Sequence, residues 1–449
     1  MHDETSAARR WTRRRTLGTL GAVGALAGCV TSSSLRRSKP KTDDPSPGTQ
    51  SADSWPCFGC DNRNSGTAGA ARGPGRTADV EWTFDGGTPT MNSSPVVVEN
   101  VVYAAGTGDP GGICAVDATT GDSLWRFETE GYVSSAPAVA DGVLYAGTWG
   151  KTFYAVDVAD GTQRWKVDVG HRFGSSSPVV ADGTVVVGAN GDGPLVVSGP
   201  EDEEEFEACA VLALDAETGE EVWRYDEFGE RENVDSSPAV ASGRVHVGGG
   251  ENLYALDAET GSEIWTRNVA ASARASPAVR DGLVYYAGPY RGGDAPSRLW
   301  ALDAASGETR WTYDLADTAQ KVSPAVADGT VYVPAASQRV CLAAGDSDDC
   351  SGVTRGRLYA VDAETGTERW TAEIRPDTRS SPAVADGIVY VGCANGISAV
   401  TVDGAGAWRI DFEGEREDGP YVDSSPAVAG GRVFVGASDG RLRAIGNRA

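Results

Sequence analysis

The chain has 449 residues and a formal net charge of −25, from 64 acidic residues against 39 Lys and Arg, of which only five are Lys. Nucleic acid is excluded as a partner, because no net basic face exists to neutralise phosphates. Acidic residues recur in nearly every segment rather than in one tail, so a solvated, self-repelling surface is expected, of the kind suited to a very salty environment.

The first 28 residues differ in charge. Arg9, Arg10, Arg13, Arg14 and Arg15 precede a mildly apolar stretch from Leu17 to Gly28. This stretch is too short and too rich in Gly and Ala to span a bilayer. Residues 1–28 read as a signal peptide with a twin-arginine element, Thr12-Arg13-Arg14-Arg15-Thr16-Leu17. The ending Leu26-Ala27-Gly28-Cys29 makes Cys29 the expected lipidated first residue of the mature chain. Residues 29–54 are rich in Ser, Thr, Pro and Asp without apolar periodicity, and read as a disordered tether. The expected location is the outer face of the cytoplasmic membrane, held by the lipid anchor.

Residues 55–80 form a lead-in to the repeats. Here Cys57-Phe58-Gly59-Cys60 has a spacing open to metal, redox or haem chemistry. Asp61 stands where haem attachment needs His, and zinc lacks a second ligand pair. A structural disulfide between Cys57 and Cys60 is expected, and another between Cys341 and Cys350 within one insertion. Cys114, Cys209 and Cys393 fall in predicted strands and read as core residues.

From residue 81 onward the chain repeats itself. Ala-x-Asp, a turn ending in Gly, and then Trp recurs with an eight-residue step from Asp to Trp. The pairs are Asp117 and Trp125, Asp157 and Trp165, Asp215 and Trp223, Asp257 and Trp265, Asp303 and Trp311, and Asp362 and Trp370. A Ser-Pro-Ala-Val phrase or close variant precedes each copy, and its eight prolines run from Pro95 to Pro426. Residues 236–265 illustrate the unit. Ser-Ser-Pro-Ala-Val-Ala predicts a strand, Ser242-Gly243 a tight turn, Arg244–Gly248 a second strand, Leu253–Asp257 a third, and Ile264-Trp265 the start of a fourth. Such sheets bury both faces by packing radially, which predicts an all-β, eight-bladed β-propeller over residues 81–449. The seventh copy is degenerate, with Thr401 in place of Asp and Trp408 one residue early. The eighth lacks a fourth strand, which the N-terminal strand carrying Trp82 should supply, closing the ring. The repeated Asp and Trp residues are expected to be structural, docking blade on blade, because catalysis does not need six copies. Two insertions, 190–208 and 336–357, interrupt the ring.

The phrase Ala-x-Asp-x-x-Thr-Gly-x-x-x-Trp resembles the tryptophan-docking repeat of the eight-bladed quinoprotein propellers, the pyrroloquinoline quinone (PQQ) repeat family, over about four fifths of the chain. The opening Trp55-Pro56-x-Phe58-x-x-Asp61-x-x-Asn64-x-Gly66 is similar to the segment that leads into this propeller in non-catalytic members. One such branch is a lipid-anchored, protein-binding lipoprotein of the outer-membrane barrel-assembly machine. Catalytic members have an adjacent Cys-Cys pair and a Ca²⁺ held by Glu, Asn and Asp. No adjacent cysteines occur here, and no calcium set maps onto this sequence. The resemblance therefore implies the fold without the activity.

The residue three before each proline does not repeat. It reads Asn92, Ser134, Ser175, Asp235, Arg274, Lys321, Arg379 and Asp423. These should ring one mouth of the central channel. Arg274, Lys321 and Arg379, with His171 and Arg172 in nearby connections, make a candidate anion-binding arc. The alternative is ion pairing with the flanking Asp235 and Asp423 in a wet channel. The acidic runs in the insertions lack EF-hand spacing, so no metal is expected. The sequence thus reads as an exported, membrane-anchored, non-catalytic propeller, a monomeric domain that binds or scaffolds a protein partner, with no cofactor. Two other readings stand beside it. One is a PQQ-dependent alcohol or sugar dehydrogenase with an atypical site, which would bring PQQ and Ca²⁺. The other is a surface receptor for a small anionic ligand, peptide or glycan.

Overall fold

The computed structural model describes residues 54–68, 71–75, 77–108, 111–191, 209–229, 233–269, 275–289, 297–319, 322–337, 355–413 and 419–448. The expected signal peptide, Cys29, most of the expected tether, Arg274, Lys321, Cys341 and Cys350 lie outside the described residues.

Eight four-stranded antiparallel sheets form, each a meander in chain order from inner to outer strand. Blade 4 comprises Ala239–Ala241, Arg244–Gly249, Asn252–Asp257 and Glu263–Asn268. The inner strand is shorter than the sequence suggests, because Ser236 and Ser237 leave the ladder to bond neighbouring blades. The last blade takes its outer strand, Ala78–Asp85, from the beginning of the domain, and pairs it with Arg441–Asn447. The ring is thus closed as expected.

The ruler between Asp and Trp has a physical basis. In every blade the ladder between third and outer strands shifts register just before the Trp. Each Trp therefore faces an Ala, as Trp265 faces Ala255 and Trp311 faces Ala301. The residue before each Trp is the extra one of a β-bulge, which bends the strand and turns that side chain outward. Leu124, Val222 and Ile264 are exposed for this reason.

Each bulge aims its indole at the next blade. Trp82 Nε1 donates to Ala118 O at 3.1 Å, Trp125 to Val158 O at 2.9 Å and Trp223 to Ala258 O at 3.0 Å. Trp311 donates to Ala363 O at 3.0 Å and Trp370 to Val402 O at 2.9 Å. The acceptor in each case is the carbonyl just after the repeat's Asp, or after Thr401. That Asp holds the turn open for the bond: Asp257 Oδ1 accepts from Glu259 N, Thr260 N and Thr260 Oγ1. The turn's Gly has a left-handed φ and lies flat on the indole. At Gly261, φ is +71° and a Cβ would sit 2.6 Å from Trp223 Cε3. The second strand often adds a group to the same carbonyl. Tyr145 OH and Trp165 Nε1 share Ala216 O, Tyr285 OH joins Trp311 Nε1 at Ala363 O, and His246 Nε2 joins Trp265 Nε1 at Ala304 O. Trp265 and Trp223 are buried, whereas the Trp311 ring is half-buried and stays partly open at the rim.

Trp408 has no such turn ahead of it, because blade 8 takes its outer strand from the beginning of the domain. Its Nε1 donates instead to Gly75 O, and Asn447 Oδ1 accepts from Gly75 N at 2.7 Å. The lead-in thus supplies the missing docking carbonyl.

Candidate functional site: the two ends of the channel

Both ends of the axial channel are defined by the inner strands, and they differ completely. At the ends of the inner strands, the lead-in segment runs round the axis and bonds each blade in turn. Trp55 exchanges two main-chain bonds with Val97 in blade 1, and Pro56 O accepts from Val139 N in blade 2. Asn62 Nδ2 donates to Val180 O in blade 3, and Asn62 O accepts from Val240 N in blade 4. Arg63 O, Ser65 O and Gly66 O accept from Val279, Val326 and Val384 in blades 5, 6 and 7, and Arg72 O accepts from Gly431 N in the blade 8 hairpin.

The residues of this plug explain its course. Asp61 accepts from the amides of Arg63 and Ser65 at 3.0 Å and from Ser65 Oγ at 2.7 Å. Burial pushes its carboxyl above the usual carboxylate range, and the Ser65 and Arg63 hydrogen bonds oppose that. Asn64, at φ +51°, donates its amide to Ser237 O, Pro238 O and Pro277 O. Gly66 has φ +68°, and a Cβ there would lie 2.5 Å from Ala325 Cβ. The Trp-Pro-x-Phe phrase was legible as a lead-in. That it circles the axis was not, although Gly59, Asn64 and Gly66, all left-handed, were a signal of tight coiling.

The expected disulfide between Cys57 and Cys60 is not formed: both are buried free thiols. The tight turn places Cys60 N on Cys57 O at 3.0 Å and points Cys60 Sγ at Ser54 O. Burial first, then the charge of Asp61, pushes both thiols up. Cys114, Cys209 and Cys393 are buried core residues as expected; Cys209 directly precedes its strand rather than lying in it.

Just inside the opposite end lies a ring of serine hydroxyls. Ser177 N bonds Ser237 Oγ, Ser237 N bonds Ser276 Oγ, and the series continues through Ser323, Ser381 and Ser425 to Ser94, at 2.8–3.1 Å. Ala136 N joins it through Ser177 Oγ, but Ala136 offers no hydroxyl back to blade 1. The ring is broken at that seam.

Beyond the serines is the other mouth of the channel, open among the described residues, with its non-repeating polar residues. Ser175 and Arg379 are exposed, while Asn92, Ser134, Asp235 and Asp423 are half-buried. Asp235 Oδ1 accepts from Asn190 Nδ2 at 2.9 Å. Arg379 makes no ion pair among the described residues. Arg172 exchanges main-chain bonds with Asn190. His171 is buried, with Nδ1 3.0 Å from Val169 O of its own connection. The described ends of both insertions lie on this face: Asn190 pairs with Arg172, and Ser337 N bonds Arg355 O at 2.8 Å.

A cavity on the axis lies between the plug and the inner strands, lined by Trp55, Phe58, Asn64, Pro324, Pro382 and Pro426, and it is narrow. Among the described residues no three His, Cys, Asp or Glu side chains converge on a metal position. That narrow cavity does not fit a flat quinone.

Fold and docking define an eight-bladed, tryptophan-docked propeller, plugged at one end by its lead-in and, among the described residues, open at the other. The chain belongs to the family of the outer membrane protein assembly factor BamB, whose family model matches residues 70–202, 208–348 and 354–448. Among curated relatives, BamB of Burkholderia pseudomallei is 35% identical over 146 residues, 32% of this chain and 32% of that protein. The quinohemoprotein alcohol dehydrogenase ADH-IIG of Pseudomonas putida is 29% identical over 151 residues, 30% of this chain and 19% of that protein. The chain thus spans a third or less of the length of these relatives. Among solved structures, the quinohemoprotein alcohol dehydrogenase of Comamonas testosteroni superposes with a TM-score of 0.69 at 16% identity, over 88% of this chain and 81% of that one. BamB of Moraxella catarrhalis superposes with a TM-score of 0.59 at 19% identity, over 82% of this chain and 99% of that one. Both likenesses are of fold.

Proposed function

We propose that this protein is an exported, membrane-anchored propeller that binds or scaffolds another protein through its open mouth, without catalysis. The observation that carries the reading is the asymmetry of the channel. One end is filled by the chain's own lead-in, bonded to all eight blades. The described non-repeating polar positions, Asn92, Ser134, Ser175, Asp235, Arg379 and Asp423, and the described ends of both insertions lie at the other. Binding residues are disproportionately found on loops held by a rigid scaffold, and this face is where the loops depart from the repeat. A protein partner is in keeping with relatives whose name is that of an outer-membrane assembly factor. Export and lipidation at Cys29 rest on the arginine-led, Cys-ended leader. The charge of −25 suits a saline exterior, where counterions screen self-repulsion.

Affinity capture of the full chain from its native membranes, after cross-linking, tests the reading: a stable stoichiometric protein partner is expected. The second reading, a PQQ-dependent dehydrogenase, is favoured by the quinohemoprotein relatives. It requires the purified protein to take up PQQ with Ca²⁺ and reduce a dye with an alcohol or sugar. Such turnover, without a captured partner, would replace the first reading. An anion receptor is a third reading, favoured by the exposed Arg379, which has no ion pair among the described residues. An Arg274→Ala/Lys321→Ala/Arg379→Ala variant should then lose thermal stabilisation by dicarboxylates that the parent shows.

A further inference from the structure

The axial cavity between the plug and the inner strands is lined by proton donors that have no acceptor. It has room for about one body the size of a water molecule or a halide ion. Trp55, at the start of the plug, lines it and is only 3% exposed. Every docking indole, and that of Trp149, donates its N–H to an oxygen. The Trp55 indole N–H has no acceptor among the described residues, although the Trp55 main chain exchanges both its bonds with Val97.

Blades 6, 7 and 8 line the same cavity through Ser323, Ser381 and Ser425. Each hydroxyl oxygen accepts an amide proton from the blade before it. Ser323 Oγ accepts from Ser276 N at 2.9 Å, Ser381 Oγ from Ser323 N at 2.9 Å, and Ser425 Oγ from Ser381 N at 3.1 Å. Accepting in this way leaves each hydroxyl with its own proton to place. None of the three has an acceptor for that proton among the described residues. The serines one position earlier behave otherwise: Ser93, Ser176 and Ser424 give their protons to the carbonyls of Ser135, Ser236 and Gly436. Ser323 and Ser381 are more than nine-tenths buried, at 3% and 7% exposure. One indole N–H and three hydroxyls thus share a space that no carboxylate lines. The plug's own carboxylate, Asp61, is turned instead to the amides of Arg63 and Ser65 and to Ser65 Oγ.

Buried donors without acceptors are costly, and the chemistry of this set selects what would satisfy it. An indole N–H can only donate, so it has nothing to offer a cation. A single water molecule has two lone pairs, half of what four donors require. A monatomic anion accepts all four with no demand on direction, through charge-assisted bonds. Phe58 and three prolines complete the lining with apolar surface, which suits a large, weakly hydrated halide better than fluoride. A carboxylate would need space for its carbon chain beneath the plug, and the cavity is too narrow for it. The net charge of −25 opposes any anion, but salt screens that opposition.

We propose that the axial cavity under the plug is a halide site, in which Trp55 Nε1 and the Ser323, Ser381 and Ser425 hydroxyls donate to one chloride or bromide ion. The ion ties the start of the plug to blades 6, 7 and 8. The site is separate from the mouth, and it stands or falls independently of what the mouth binds.

Two measurements on the full chain test it. Crystals grown in sodium bromide, with data collected at the bromine edge, should show an anomalous peak in the cavity within hydrogen-bond reach of Trp55 Nε1. In solution, the protein should broaden the chloride NMR line at constant ionic strength, with gluconate as the balancing anion, and added bromide should reverse the broadening. Trp55→Phe keeps an aromatic ring and removes the N–H, so it should weaken chloride binding at least about tenfold while still melting cooperatively in gluconate. Ordered water and no bromine in the cavity overturns the proposal, and that result on the parent protein decides even if Trp55→Phe fails to fold. A folded Trp55→Phe variant that binds chloride as the parent does overturns it equally.

Discussion

Gly261→Ala should destabilise the propeller far more than Gly282→Ala, although the two glycines have the same backbone conformation. Gly261 has φ +71° and Gly282 has φ +76°, so the left-handed region costs each alanine about 1–2 kcal/mol. Each also gains about 0.4–1 kcal/mol from a stiffer unfolded chain. Nothing lies within 4 Å of a Cβ at Gly282, and its net cost should be about 1 kcal/mol. At Gly261 the new methyl meets Trp223 Cε3 at 2.6 Å and Cδ2 at 2.8 Å. Trp223 is buried and its Nε1 is tied to Ala258 O, so the ring cannot retreat without breaking the docking bond. Overpacking of this kind adds about 1–3 kcal/mol, for a total of about 2–4 kcal/mol. Urea denaturation of the two variants measures the difference. A Trp223→Leu background supplies the control, because removing the indole should abolish most of the extra cost in a double-mutant cycle. Equal destabilisation by the two alanines, or full additivity with Trp223→Leu, would refute the docking account.

His246 gives a pH prediction. It is fully buried, and desolvation holds its imidazole down to about 4, against an ordinary value near 6.5. The unfolded chain takes up a proton that the folded one refuses, so stability should fall as pH drops from about 6.5 to about 4, by up to ~3 kcal/mol. His246→Phe, a residue type found at this column as Phe434, should flatten that part of the urea-midpoint profile. Asp303 is held at about 2 by Arg310 and the turn amides. Its contribution is present above pH ~4 and lost below it, so Asp303→Asn should change the profile only under acid. Asn64→Ala removes the donor serving three carbonyls of blades 4 and 5 and should cost about 2–3 kcal/mol, read as a lowered melting temperature. Cys57 and Cys60 should resist a thiol reagent in the native protein and react after unfolding; rapid native labelling would contradict their burial.

The sequence carried the architecture because a repeat averages over local ambiguity. Trp125, Trp165, Trp223, Trp265, Trp311 and Trp370 sit at one step from their Asp, and the shortened step at Trp408 still leads to the same Ala-facing register. The closing strand was legible because blade 8 lacked what residues 81–84 offered. What repeats could not reveal lies in contacts made once. The plug binds seven inner strands and the blade 8 hairpin, mostly through backbone groups, which leave little mark on side-chain pattern. Gly75 replacing a docking carbonyl depends on where the chain happens to pass, not on its type. Cys57 and Cys60 had disulfide-like spacing, yet spacing says nothing of sulfur direction, and Cys60 turns to Ser54. Of the candidate site, the polar ring was found by asking which column varies.

The central claim is that the open mouth is the binding face and the plugged end is not. A photo-reactive benzoylphenylalanine placed at Ser175 or Arg379, both exposed at the mouth, compares directly with one at Asp141 or Asp281, exposed in hairpin turns at the plugged end. After irradiation in native membranes, mass spectrometry should find one recurring protein adduct from the mouth positions and none from the turns. Adducts from Asp141 or Asp281 with silence at Ser175 and Arg379 would contradict the account.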